Sequence, residues 1–302
     1  MTRAGVGTDA DADESATRRI VLATDGFGAA EDAELPVLVA ALRERGLDAV
    51  AVDWAEEGYD WATPDVVVIR STWDYSERLP EFLAWVDGVD AVTALHSPAE
   101  LVRWNSDKVY LAELSARGIP TVPTRFIAPG DPVTLPPDGE IVVKPSVSAG
   151  SRDTARYTPA QREAASAHVR MLHGAGATAM VQPYMGRIVE GERALVFLGG
   201  EFSHAVRKGP VLTDTGRIDN TRVAHPDLTG HTPSEAELAL AGAALAAVAA
   251  RTAGPLAYAR VDLAPADDGT PVLMELELIE PNLFLTMAPG GVERFVEVVH
   301  GL

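Results

Sequence analysis

The chain has no cysteine among its 302 residues. That excludes disulfides, Cys-ligated zinc and a thiolate nucleophile, and it leaves the redox compartment open. Basic residues are scarce: 25 Lys and Arg stand against 44 Asp and Glu, a net charge of −19. Such a surface repels nucleic acid and anionic membranes, so neither is expected as a partner. Any anionic ligand must then be held by a local cluster of Lys, Arg and metal. Long apolar runs are missing too. The most apolar helical stretch, residues 238–250, is Ala-rich and too short to cross a bilayer. Residues 1–19 are small, polar and acidic, without the apolar core of a signal peptide, and read as a disordered tail. The expected location is therefore cytoplasmic. No GxxxxGK[ST] occurs, and Gly5–Val6–Gly7 is not preceded by a strand, so neither a Walker A loop nor a dinucleotide fingerprint is present.

What remains is an ordinary globular composition, 47% hydrophobic, with enough length for two or three modules. The apolar runs IVLAT (20–24), AVAVDW (49–54) and VVVIR (66–70) predict strands, with a helix between the first two from Ala30 to Arg45, stopped by Gly46. Continuous apolar strands alternating with helix predict a parallel sheet covered on both faces. A second helix is expected at 106–118, ended by Gly118. Residues 140–182 predict strand, Gly/Ser loop, helix and strand. Residues 192–208 predict a hairpin with a Gly-Gly turn. Ser234 and Glu237 form a capping box opening a buried helix over 234–252. Two last strands follow at 256–264 and 271–279.

Four positions carry chemistry. Lys144 ends the strand IVVK and leads into the Gly/Ser-rich loop with Ser148, Gly150 and Ser151, a setting that suits a phosphate. Arg260 and Asp262 alternate onto one strand face, as a cross-strand ion pair would also require. Glu275 and Glu277 share a face of the next strand. Asp262, Glu275 and Glu277 can therefore converge, and three carboxylates among Leu, Val, Ile and Met need a counter-charge; hard oxygen ligands suit Mg²⁺. The fourth position is the connector after the strand TAMVQPY, bearing Glu190 and Glu192, where a ribose or adenine could be read.

In this order the residues resemble the ATP-grasp superfamily over residues 20–302. The metal strands of that superfamily read Asp, a Gly-containing turn, then Glu-x-Asn; here Asp262, Gly269 and Glu275 match, and Glu277 replaces the Asn. Glu280 and Asn282 remain a competing Glu-x-Asn pair. The resemblance implies α/β and α+β architecture: an N-terminal parallel α/β domain (20–104), a connecting helix (105–123), a small central lid (124–184) and a C-terminal antiparallel ATP/Mg domain (185–302). It implies ATP and two Mg²⁺ ions. Lys108 and Lys144 look like the paired phosphate lysines, and residues 146–151 like the loop that closes over the phosphates. Gln182 and Met185 flank the adenine connector, and Glu192 matches the ribose acid, as in bacterial glutathione synthetases. Arg260 looks like the arginine that stabilises an acyl-phosphate.

For the substrate, Arg70, Ser71, Thr72 and Trp73 follow a buried strand, where open α/β sheets place ligands. A capped loop with a packed Trp fits the same pattern. Arg207, Lys208, Arg217, Asn220 and Arg222 form a second polar cluster; in glutathione-synthetase-like members the corresponding loop contacts substrate and γ-phosphate. The strings RSTWDY, WNSDKVYL, KPSVSAGS and ELELIEP are similar to the cycloserine-biosynthesis ATP-grasp enzymes, which close O-ureidoserine into cycloserine. The partner is accordingly a small amino-acid-like molecule, with a homodimer as an open assembly state. An intermolecular dipeptide or amide ligase, a phosphotransferase on the same fold and a non-catalytic nucleotide sensor stand as alternatives.

Overall fold

The structure, a computed structural model, describes residues 17–221, 225–252 and 254–302. All but the last three residues of the expected tail, and Arg222, lie outside the described residues.

The N-terminal strands form as the apolar runs require. β1 (Arg19–Thr24), β2 (Asp48–Asp53), β3 (Val66–Ser71) and β4 (Ala94–His96) make a parallel sheet in the order β2-β1-β3-β4. The single helix expected over 30–45 is instead two, α1 (Gly26–Glu31) and α2 (Leu35–Glu44). Pro36 lacks the N–H that a continuous helix would use and suits a first helical turn, so it starts α2 afresh. Asp32 stabilises the break by accepting the Glu34 N–H at 3.0 Å. α3 (Leu79–Asp90) covers the other face of the sheet together with α4 (Ala99–Asn105).

The expected helix over 106–118 is also shorter. α5 (Tyr110–Ala116) follows α4 after a break, and Lys108 sits in that break. Its backbone N–H leaves the helical ladder and donates to the Ser146 carbonyl at 2.9 Å. This ties the connector directly to the lid.

The region expected as the lid is a four-stranded sheet, β5 (Arg125–Ile127), β6 (Ile141–Pro145), β7 (Ala155–Tyr157) and β8 (Ala179–Pro183), in the order β5-β8-β6-β7. α6 (Arg162–Gly174) covers one face, and the unit has its own core around Val143, Val169 and Leu172. The C-terminal sheet is antiparallel, in the order β11-β10-β9-β12-β13. Its strands are β9 (Glu192–Leu198), β10 (Glu201–Lys208), β11 (Thr229–His231), β12 (Tyr258–Pro265) and β13 (Pro271–Glu277). Gly199 and Gly200 both take positive φ, 61° and 84°, as a tight hairpin turn demands. The capping box forms as expected at the start of α7 (Glu235–Val248): Ser234 N–H donates to Glu237 at 2.7 Å, and Glu237 N–H to Ser234 Oγ at 3.3 Å.

One core joins the first and last sheets. Ile20, Leu22 and Val66 pack with Val196, Leu198, Tyr258 and Phe295, the last from α8 (Gly291–Gly301). The Tyr258 hydroxyl donates to the Ile279 carbonyl at 2.6 Å and contacts that of Ile69. Truncating a ring buried like Phe295 to Ala costs roughly 3–5 kcal/mol. These two sheets are therefore one platform, and the lid, with a separate core, faces it across a cleft.

Candidate active site

The cleft has a volume of about 990 Å³ and lies between the lid and the C-terminal sheet. Strand alternation builds its floor. β12 is buried along its whole length, and its register against β13 sets Asp262 opposite Glu275 and Arg260 opposite Glu277. At the far end of the floor β9 and β10 set Glu192 opposite Lys208. Lys144, at the end of β6, lines the cleft from the lid, and Lys108 comes from the helix break.

These side chains form one ionic network. The Arg260 Nε and Nη2 grip Asp262 Oδ1 and Oδ2, both at 2.9 Å, and Nη2 also contacts Glu277. Lys208 Nζ lies 2.7 Å from Asp262 Oδ2 and contacts Glu192. Lys108 Nζ lies 3.0 Å from Glu275 Oε1 and donates to the Ser148 carbonyl at 2.6 Å. Fork-on-carboxylate geometry of this kind is the strong form of an ion pair.

The charges are unevenly settled. Burial alone would raise Asp262, but Arg260 and Lys208 hold it well below the usual carboxylate range. Burial pushes Glu192 up to about 7, helped by Asp262, with Lys208 opposing. Burial also pushes Glu277 to about 7, with Asp262 and Glu275 adding to it against the pull of Arg260. Glu280 rises to about 8, first through burial and then through Glu277 and Glu275. Lys144 is held below the ordinary lysine value by burial, reinforced by Lys108 and Lys208 and only partly offset by Glu275. Burial also acts to lower Lys108 and Lys208, yet their carboxylate neighbours outweigh it and both stay raised. The floor thus carries more carboxylate than its own cations neutralise.

Most of the residues expected from the sequence meet here. Arg260, Lys108, Lys144, Ser148, Gly150, Ser151, Gln182, Met185, Glu192, Lys208, Asn220, Trp73, Asp262, Glu275 and Glu277 all line the cleft. Val122, Val142, Ile188 and Met274 give apolar lining to the cleft that Gln182 and Met185 also line. Asn220 ties the lid to the loop after β10: Asp153 N–H donates to its Oδ1 at 2.8 Å, and its Nδ2 donates to Asp153 Oδ1 at 2.9 Å.

Five expectations need correcting. Arg70, Ser71 and Thr72 are not on the cleft wall. Arg70 is 1% exposed; it pairs with Glu34 at 2.9 Å, lies 3.5 Å from Asp32 and donates to the Pro281 carbonyl at 2.5 Å. Its guanidinium ties the approach to α2 to the 281–286 turn, which Glu34 also holds by accepting the Thr286 N–H at 2.9 Å. The Ser71 hydroxyl is spent on Thr24 Oγ1 at 3.0 Å, and Thr72 is fully buried. Arg207, next to Lys208 on β10, points to the opposite sheet face by strand alternation and meets Thr229 at 3.2 Å. Arg217 is 68% exposed and faces Asp219 instead of the cleft.

Several lining residues had no sequence signal of their own. Glu77, in the turn after β3, pairs with Arg152 at the end of the lid loop, so one ion pair spans the cleft mouth. Phe27 is another, and it meets the expected Trp73 edge to face at 6.1 Å on the N-terminal wall. Asn282, named above with Glu280 as a competing pair, also lines the cleft, and its Oδ1 accepts the Phe284 N–H at 3.1 Å.

Among the described residues no three acidic or His side chains stand close enough together to hold a metal ion as they are. Lys108, Lys208 and Arg260 occupy the carboxylates instead. The donor set nevertheless fits Mg²⁺: Asp262, Glu275 and Glu277 are hard oxygen ligands that the β12–β13 register brings to one cleft floor.

Residues 20–97 match the family described as D-cycloserine synthetase DcsG, N-terminal domain. The chain is 37% identical to the cycloserine biosynthesis protein DcsG of Streptomyces lavendulae, across 93% of this chain and 97% of that protein. The crystal structure of D-cycloserine synthetase DcsG superposes with a TM-score of 0.84 at 35% identity, covering 94% and 99% of the two chains. D-alanine–D-alanine ligase from Bacillus anthracis shares the fold, with a TM-score of 0.70 at 14% identity over 94% and 97% of the chains.

Proposed function

This chain belongs to the DcsG family of ATP-grasp ligases, and on that premise we propose that it closes O-ureidoserine into cycloserine through an acyl-phosphate. As a member it is an ATP-dependent enzyme that forms a C–N bond. The observation that carries the finer reading is the ladder Arg260/Glu277 and Asp262/Glu275, which sets a buried guanidinium beside three carboxylates in a cleft with Lys108, Lys144 and Lys208.

In this reading the connector flanked by Gln182 and Met185, with the apolar lining of the cleft, takes the adenine, and Glu192 accepts the ribose hydroxyls. Lys108 and Lys144 meet the phosphates. Lys144 is suited to this because its lowered pKa marks a desolvated ammonium that gains most from an anionic partner. Asp262, Glu275 and Glu277 would hold Mg²⁺, which when bound neutralises triphosphate charge.

The substrate carboxylate attacks the γ-phosphorus and ADP leaves. Arg260 stabilises the charge that develops on the transferring group, because a buried, pre-oriented cation acts there without reorganising. The ureido nitrogen of the same molecule then attacks the acyl carbon and gives up its proton, phosphate leaves and the ring closes; water cleaves the carbamoyl group from that nitrogen, which takes a proton back, and the carbamic acid released breaks down to CO2 and ammonia. Closure of the lid over the cleft keeps water from the acyl-phosphate until the nitrogen arrives. No side-chain nucleophile is needed, consistent with a chain that has no cysteine.

Hydroxylamine trapping tests the intermediate. A substrate hydroxamate formed only with ATP and Mg²⁺ supports it; ATP turnover with a stable phosphorylated product and no hydroxamate contradicts it.

A further inference from the structure

Arg260 is gripped from two sides, and only one of them is carboxylate. On the other side its Nη1 donates to the Asn282 carbonyl at 2.8 Å, and its guanidinium lies 5.5 Å from the centroid of the Phe284 ring. A guanidinium at that distance from an aromatic face is attracted by the ring quadrupole.

Phe284 reaches this place through an unusual backbone. Its φ of 52° and ψ of 34° are left-handed, a region that a bulky residue rarely enters and that persists only when its surroundings enforce it. The surroundings do so at several points. Asn282 Oδ1 accepts the Phe284 N–H, and the Phe284 carbonyl accepts the Met287 N–H at 3.1 Å. His204 Nε2 meets the neighbouring Leu283 carbonyl at 2.8 Å. The ring itself is 3% exposed and packs on Ala194, Val206 and Leu228. A turn that needed only this backbone would be made more easily by Gly or Asn. The strained position holds a ring whose face meets Arg260 and which also meets the His225 ring at 5.3 Å.

We infer that Phe284 is a positioning residue for Arg260: the strained turn from Asn282 to Phe284 fixes the guanidinium plane toward the cleft. Without the ring, one face of the guanidinium loses its support, and the group can turn about its bonds to Asp262 and Glu277. This inference rests on the reading of Arg260 as the cation that meets the transferring phosphoryl group.

The test compares Phe284→Leu, Phe284→Asn and Phe284→Tyr, each measured for kcat, for KM of ATP and substrate, for ADP affinity by direct titration and for Tm. Leu keeps apolar bulk without the ring, Asn suits the backbone without the ring, and Tyr keeps the ring. Loss of a positioned transition-state contact lowers kcat without raising KM for ATP, so Phe284→Leu and Phe284→Asn should lose on the order of tenfold or more in kcat. ADP affinity should stay unchanged, and Phe284→Tyr should retain most of the turnover. Phe284→Leu in an Arg260→Lys background should add no further loss, because the ring acts through Arg260. Wild-type kcat in Phe284→Asn or Phe284→Leu overturns the inference, as does loss of ADP binding in step with kcat in both variants. If Arg260→Lys alone keeps wild-type turnover, the reading of Arg260 fails; if Arg260→Lys is impaired and the Phe284 variants are not, only the present inference fails.

Discussion

Asp262 on β12 stands directly opposite Glu275 on β13, and two residues along the same ladder Arg260 stands opposite Glu277. Two antiparallel strands with ordinary side-chain alternation thereby place three carboxylates and one guanidinium on a single buried face. Like charges so placed repel unless cations sit among them, and Lys108, Lys208 and Arg260 are those cations.

Asp262 is the common partner of Arg260 and Lys208, so Asp262→Asn should leave two buried cations short of charge. Breaking one partner out of a buried pair costs about 3–5 kcal/mol. Thermal unfolding should fall by several degrees. ADP release should drop by about a hundredfold or more, the scale seen when one electrostatic contact to a transition state is removed. Turnover equal to the intact protein would remove Asp262 from the site.

Glu280 gives a pH signature. Its carboxyl is held at about 8 in the fold and near 4.5 in the unfolded chain, so between those values the folded protein keeps a proton that the unfolded chain has released. Stability attributable to Glu280 is therefore full at low pH and is lost as pH rises through this window. Without Mg²⁺, Glu280→Gln should match the wild type near pH 5 and exceed its Tm near pH 9. A difference that stays constant with pH contradicts the assignment.

The Glu77–Arg152 pair spans the cleft mouth with both side chains about half exposed, 51% and 44%. Exposed pairs are worth about 0–1 kcal/mol and weaken with salt. Glu77→Gln should raise KM for both substrates by a few-fold at low salt, with little effect at high salt. The exchange Glu77→Arg with Arg152→Glu should recover most of the loss. Equal KM values for Glu77→Gln and wild type at low salt would show that the pair does not hold the lid.

Arg70 should behave as a structural residue. Arg70→Met removes the partner of Glu34 and Asp32 in a buried setting, so Tm should fall markedly, by about 3–5 kcal/mol of stability. KM for the substrate should be unchanged in the protein that remains folded. A raised KM with an unchanged Tm would return Arg70 to the substrate site.

Much of this was legible in the residues. Continuous apolar runs predicted the parallel strands, Gly199–Gly200 the hairpin, and Ser234 with Glu237 the start of α7, because each is a local signal. The distance from Asp262 through Gly269 to Glu275 placed the acidic ladder, since strand alternation and a short turn leave few registers. Arg70 misled because a strand end shows where a side chain emerges but not which face it takes; its acidic partners lie 36 and 38 residues earlier in the chain. The helix breaks at Pro36 and Lys108 were missed for different reasons. The first is a local signal outvoted by apolar periodicity, and the second depends on a bond from Lys108 to the distant Ser146. Neither the Glu77–Arg152 pair nor the left-handed Phe284 leaves a pattern in sequence, because one joins residues far apart and the other is imposed by its surroundings.

The most direct test of the proposed function is to incubate the purified protein with O-ureidoserine, ATP and Mg²⁺, count ADP and weigh the organic product by mass spectrometry. One ADP per turnover and a product with the mass of cycloserine are expected. A product heavier than the substrate by a phosphoryl group or a second amino acid, or no ADP with this substrate while another amino acid supports turnover, would contradict it.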